Sequence, residues 1–111
     1  MSRKIIFYGN YFIEFYQKQD LKVKSKIQYV FELIREVERV PEKFLKHLVG
    51  TNGLYEVKVE YQTNIYQILC CFDEGKIVVL FNGFQKKTQK TPQNEIEKAA
   101  QLMKEYFLDK K

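Results

Sequence analysis

Residues 55–84 read YEVKVEYQTNIYQILCCFDEGKIVVLFNGF, and the architecture follows from how that stretch alternates. Tyr55, Val57, Val59 and Tyr61 are apolar, and Glu56, Lys58 and Glu60 between them are charged. Successive strand side chains point to opposite faces, so a period of two marks a strand with one face buried. Gln62-Thr63-Asn64 then reads as a turn, residues 65–72 as a second strand, Asp73-Glu74-Gly75 as another turn, and residues 77–84 as a third strand. Loops this tight make neighbouring strands antiparallel, which predicts a meander. The second and third strands are more continuously apolar, as expected of central strands covered on one face.

Working outward, residues 5–8 form a short apolar strand closed by Gly9-Asn10. Asn10 is placed to cap a first helix running to about Gln19, with Phe12, Phe15 and Tyr16 at helical spacing. Asp20 caps a second helix. Its apolar stripe is Ile27, Val30, Phe31, Ile34 and Val37, with Lys24, Lys26, Glu32, Arg35, Glu36 and Arg39 mostly opposite, and Pro41 ends it. On the far side, Thr91-Pro92 predicts a last helix with Thr as cap and Pro in the first helical position. Its stripe is Ile96, Ala99, Ala100, Met103 and Phe107, and Asp109-Lys110-Lys111 is expected to fray into solvent. The order β-α-α-β-β-β-α, without repeats or linkers, predicts one α+β domain over residues 1–111.

Composition narrows the function. A chain of 111 residues buries roughly two thirds of its unfolded surface, enough for a core without covalent staples. Cys70 and Cys71 are adjacent in a strand and point to opposite faces, so they read as small buried side chains and not as a disulfide. One histidine, His47, argues against a paired-His acid–base site, and with two cysteines it falls short of a zinc ligand set. His47 precedes the Gly50-Thr51-Asn52-Gly53 loop and reads as a surface residue. No metal or cofactor is expected. The apolar run after Met1-Ser2-Arg3-Lys4 stops at Gly9, too short for a signal peptide, and nothing approaches a membrane span. A cytoplasmic protein with no membrane partner is the expectation.

The net charge is +5, with 19 Lys and Arg against 14 acids, which points to a polyanionic or acidic partner. The excess is concentrated: residues 76–91 hold four lysines and no acid. Lys86, Lys87 and Lys90 share one loop with Thr88, Gln89 and Thr91, after a strand and before a helix start, which is a suitable anion-binding device.

Three stretches carry a resemblance: GLYEVKV at 53–59, NIYQILCCFDEGKIVVLFNGFQKKTQKTP at 64–92, and EIEKAAQLMKEY at 95–106. They resemble the phage-derived, HigB-like branch of the RelE/ParE toxin superfamily, and KKTQKTP is the specific element. The resemblance implies a RelE-like antiparallel sheet with an N-terminal helical hairpin on one face and a C-terminal helix. It also implies a toxin of a type II toxin–antitoxin system: an mRNA endoribonuclease acting on the ribosome, held inactive by a cognate HigA-like helix-turn-helix antitoxin. Metal-independent RNA scission proceeds by attack of the neighbouring 2′-hydroxyl, and needs cations on the phosphoryl oxygens and a proton for the leaving oxygen. RelE-type sites rely on basic and phenolic groups for this.

Carried onto this chain, the resemblance puts the site on the exposed sheet face and the following loop. The catalytic candidates are Lys58, Lys86 and Lys87. Lys90, Gln67, Tyr66, Gln89 and Thr88 are candidate RNA contacts, although Tyr66 also reads as a core tyrosine. Family members often carry Arg where this chain has Lys58 and Gln67. Lysine keeps the charge without the bidentate fork, and glutamine keeps neither. Two alternatives therefore stand beside the nuclease: a non-catalytic RNA- or antitoxin-binding member, and a ParE-like gyrase inhibitor.

Overall fold

The computed structural model describes residues 2–110. The elements, in chain order, are β1 (Lys4–Phe7), α1 (Tyr11–Gln17), α2 (Leu21–Glu36), β2 (Leu45–His47), β3 (Tyr55–Tyr61), β4 (Asn64–Asp73), β5 (Ile77–Lys86) and α3 (Gln93–Asp109). They form one five-stranded sheet in the order β1-β5-β4-β3-β2. The predicted meander is β3-β4-β5, antiparallel throughout, while β1 pairs in parallel with β5 from Lys4 opposite Ile77 to Phe7 opposite Leu80. β2, which carries no alternation long enough to read, pairs with Tyr55–Val57 at the other edge.

The continuous apolar character of β4 and β5 has a different cause from single-face cover, because both faces are covered. Ile68, Cys70, Val78 and Leu80 pack on α1 and α2 through Phe12, Phe15, Val23, Ile27, Val30, Phe31 and Ile34. Leu69, Cys71, Val79 and Phe81 pack on the opposite side against Ala99 and Leu102 of α3. Cys70 and Cys71 thus lie in separate cores, both free, and burial pushes the Cys71 thiol up to about 12. Each such aliphatic or aromatic side chain stabilises the fold by about 1.5–3 kcal/mol relative to exposure.

The helix ends depend on partners far away in sequence. Asp20 accepts from the Val23 N–H at 3.0 Å, as a capping residue should. Asn10 makes no side-chain cap bond. α2 stops at Glu36, well before Pro41: Val37 is already extended (φ −84°, ψ 127°), and the Arg3 guanidinium donates to the carbonyls of Ile34 (2.8 Å), Val37 (2.6 Å) and Glu38 (2.6 Å) at that end. The start of α3 also departs from expectation: Pro92 is the capping residue, and the Thr91 hydroxyl is engaged elsewhere.

The far end of α3 does not fray. It stays helical to Asp109, and Lys110 donates to Asp73 at 2.7 Å and lies 3.5 Å from Glu74. Tyr106 donates to the same Asp73 oxygen at 2.6 Å, and Tyr8 donates to Asp109. Asp109 and Lys110 read as tail from sequence because their partners lie just after β1 and on β4; Lys111 lies outside the described residues. The buried stripe of α3 accordingly runs through Ile96, Ala99, Leu102, Met103 and Tyr106, leaving Ala100 and Phe107 exposed. Among the described residues, no helix is long and apolar enough to cross a membrane.

Candidate functional site

One irregularity in the sheet decides which side chains share a face. Ile68 is opposite Gly83 and Cys70 is opposite Leu80, so Leu69 on β4 faces two residues, Phe81 and Asn82, on β5. This bulge reverses the phase of β5. Without it Lys86 would lie on the side of Leu80, under the helical hairpin. With it, Lys86 pairs with Ile65 and emerges on the opposite side, together with Lys58, Gln67 and Phe84. Two contacts hold the bulge in place. Gly83 lies so close to α1 that a Cβ there would meet the Phe15 ring at 2.5 Å. The buried Asn82 amide donates to the Glu95 carbonyl (3.1 Å) and carboxylate (2.8 Å) at the start of α3.

The end of β5 and the loop after it form a groove with the β3–β4 turn. Thr63, Asn64 and Ile65 line one wall, and Gln85, Lys86, Lys87, Thr88 and Gln89 line the other. Gln85 donates to Asn64 at 3.2 Å and ties the walls together, while Thr88 donates to the Lys90 carbonyl at 2.8 Å and shapes the loop. The groove has a lysine pair and no carboxylate in its lining. Cations and neutral donors without a competing acid suit a phosphodiester.

The predicted site residues are only partly brought together. Lys86, Lys87, Thr88 and Gln89 share the groove, and Lys90 is exposed on the same loop outside its lining. Lys58 shares the face, but its Cα is two strand spacings across and two residues along from that of Lys86, about 12 Å away. Its ammonium turns to Glu60, 3.6 Å away, in a separate depression at the sheet edge. Tyr66 is buried on the opposite face against Phe15, at 6.4 Å between ring centroids, so in this fold it is a core tyrosine not offered to a base.

Gln67 is fully buried, not exposed on an open face as its mid-strand polar character suggested. Its amide donates to Glu56, and the Thr91 hydroxyl lies 3.2 Å from Gln67 Oε1 and 3.4 Å from Glu56 Oε2. The end of the lysine loop is thereby pinned to the sheet, and this triad covers Gln67. Asn64, Gln85 and Glu56 are the residues that sequence reasoning missed, and Thr91, read with the lysine loop, donates to Gln67. The signal available was pairing: once β3, β4 and β5 are consecutive and antiparallel, the 62–64 turn must lie beside the end of β5. His47 is exposed on β2 with its ring edge-on to Tyr55. Among the described residues no cluster of three His, Cys, Asp or Glu is arranged to hold a metal ion.

Fold and groove together define the class: an α+β sheet protein with the RelE-like fold, carrying a cationic groove where β5 gives way to α3. A double arginine-to-alanine mutant of E. coli toxin RelE in the free state superposes with a TM-score of 0.56 and 17% identity, covering 75% of this chain and 82% of that one. The archaeal RelE–RelB complex from Pyrococcus horikoshii OT3 superposes with a TM-score of 0.55 and 17% identity, covering 82% and 100%. Residues 14–104 match the family described as Phage derived protein Gp49-like (DUF891), and the chain belongs to that family. No curated relative matches the chain.

Proposed function

We propose that this protein is the toxin of a type II toxin–antitoxin pair and acts as a metal-independent mRNA endoribonuclease on the ribosome. The observation that carries the reading is the acid-free groove bearing Lys86 and Lys87 on a RelE-like sheet. A phosphodiester seated there meets the two lysines of the lining. Attack of the 2′-oxygen on phosphorus forms the cyclic phosphate and breaks the bond to the 5′-oxygen. Lys86 or Lys87 stabilises the added charge and protonates the departing 5′-oxygen, and water takes the 2′-hydroxyl proton. Lys90 and Gln89 extend the contact along the strand. Lys58 adds a further cation by leaving Glu60, an exposed pairing that costs little to break.

The groove is open, and its lining holds two lysines among neutral hydrogen-bonding side chains. Dependence on the ribosome to orient the message is the physical complement of that openness. A cytoplasmic site of action and a HigA-like antitoxin as neutralising partner belong to the same reading, supported by a structural neighbour solved as a RelE–RelB complex. Purified protein is expected to cleave message in a translating extract. Lys86→Ala with Lys87→Ala should slow cleavage by about 10²–10³-fold, the scale of losing preorganised charge stabilisation. Intact message with the unmodified protein would defeat the proposal.

The burial of Gln67 favours a second reading, a member of the family that binds RNA or antitoxin without cutting. Binding of an RNA oligonucleotide with no cleavage on translating ribosomes is its signature. A ParE-like gyrase inhibitor would instead leave message intact and stall replication.

A further inference from the structure

β1 stops at Phe7, opposite Leu80, and beyond that point no described strand flanks β5 on this side. The sheet edge there lies between α1 on one face and α3 on the other, and a cleft of about 220 Å³ opens at it. That is below the ~300–1,000 Å³ of sites for drug-sized ligands, and it suits a small metabolite. Asn82, from the bulge, and Gly83 after it form the floor. Glu14 and Lys18 stand on the α1 side, and Glu95 and Lys98 on the α3 side. The cleft shares no lining residue with the lysine-loop groove.

Asn82 is 3% exposed, and both acceptors of its amide nitrogen lie on Glu95, which fixes the end of the amide that carries oxygen. That oxygen is buried and has no donor among the described residues. A buried acceptor without a donor is costly, so a donor held in the cleft that Asn82 borders relieves a penalty the empty fold carries. The charged groups are equally uncommitted. Among the described residues none of the two carboxylates and two ammoniums is ion-paired, and Lys98 holds its ammonium 4.8 Å from the Tyr11 ring centroid. A ligand of one sign would face two groups of its own charge here. A ligand carrying both signs on neighbouring atoms pairs with all four.

We propose that this cleft binds a free α-amino acid. Its ammonium, which has three donors, meets the Asn82 carbonyl oxygen and the carboxylates of Glu14 and Glu95. Its carboxylate meets Lys18 and Lys98, and its side chain lies toward Tyr11. Asn82 belongs to the bulge that decides the face of Lys86, so the bound amino acid also stabilises that arrangement of β5. The site stands apart from RNA cleavage and requires neither Lys86 nor Lys87.

The test is titration of the whole isotope-labelled protein with each protein amino acid in turn, followed by NMR. At least one should shift the Asn82 side-chain amide and the Gly83 backbone amide, with a Kd below about 1 mM. Acetylating the amine of that amino acid, or converting its carboxylate to an amide, should each weaken binding at least about tenfold. Glu14→Gln, and Lys18→Met with Lys98→Met, should do the same from the protein side. Glu14, Lys18 and Lys98 are exposed, so these variants keep the fold, and the remaining signals report it. The inference is overturned if no amino acid moves the two amide signals, if the capped forms bind as well as the free one, or if the variants keep full affinity. Lys86→Ala with Lys87→Ala should bind the amino acid as the parent does, so loss of cleavage and loss of this site are read separately.

Discussion

Gln67, in the middle of β4, ties Thr91 at the end of the lysine loop to Glu56 on β3. A polar side chain in the middle of an alternating sheet suggests solvent, yet it is fully buried because Thr91 folds back over it and Glu56 accepts from its amide. A buried amide must be satisfied, and here both of its polar atoms are. An arginine at this position would meet the Glu56 carboxylate before it met a phosphate. Gln67→Arg is therefore expected to leave cleavage in a translating extract unchanged, and to lower stability by about 1–3 kcal/mol through overpacking, read by urea denaturation. A clear gain in cleavage would show instead that position 67 faces the substrate and that activity had decayed there. Asn82 illustrates the same pressure less completely: its amide nitrogen has two partners on Glu95, while its buried carbonyl oxygen has none among the described residues.

At the scale of elements, α3 is held at both ends by groups distant in sequence. Its start is fixed by Asn82 and by the Thr91–Gln67–Glu56 contacts, and its end by Asp73, Tyr106, Lys110 and the Tyr8–Asp109 bond. Hydrogen bonds from Lys110, then from Tyr106, hold the Asp73 carboxyl below its ordinary range. A carboxylate depressed in the folded state contributes stability above its unfolded pKa of about 3.9 and loses it as pH falls through the folded value. Asp73→Asn should therefore lower Tm near neutral pH, and the two melting curves should converge in acid. Persistence of the full difference at the acid end would mean that the contribution is packing and not charge. At the alkaline end the Asp109 bond pushes Tyr8 up to about 12, so that contact is present below the unfolded tyrosine value and is lost as pH rises through the folded one.

At the scale of the whole molecule, the net charge of +5 is spread unevenly over two surfaces with different chemistry. The lysine-loop groove is polar and free of acids, and the cleft between α1 and α3 balances two acids with two lysines. Salt separates them. Binding of a single-stranded RNA oligonucleotide should weaken linearly in log[salt], with a slope of about 0.7 per phosphate neutralised. Lys86→Ala with Lys87→Ala should reduce that slope by about 1.4, and Lys18→Met with Lys98→Met should leave it unchanged. An unchanged slope in the lysine variant would move the RNA path off the loop.

The periodic signals were legible in the chain as written. Alternation over 55–61, the Asp20 cap and the α2 stripe from Ile27 to Ile34 depend on neighbours a few residues apart and appear as read. The turns, by contrast, fall at 62–63 and 74–76, with Asn64 and Asp73 inside β4, and Val37 lies past the end of α2. The lysine loop and its place before a helix were legible for the same reason. Pairings between distant segments leave no local period, so β1 beside β5, β2 on the far edge, and Arg3 on the end of α2 came from folding alone. The face on which Lys86 emerges was equally hidden, because it depends on one extra residue opposite Leu69 and no repeat in β5 announces it. Local sequence specifies the strands and helices and their apolar sides. Long-range packing assigns Lys86 to the open face, Tyr66 to the core, and Gln67 to the contact that holds the loop down.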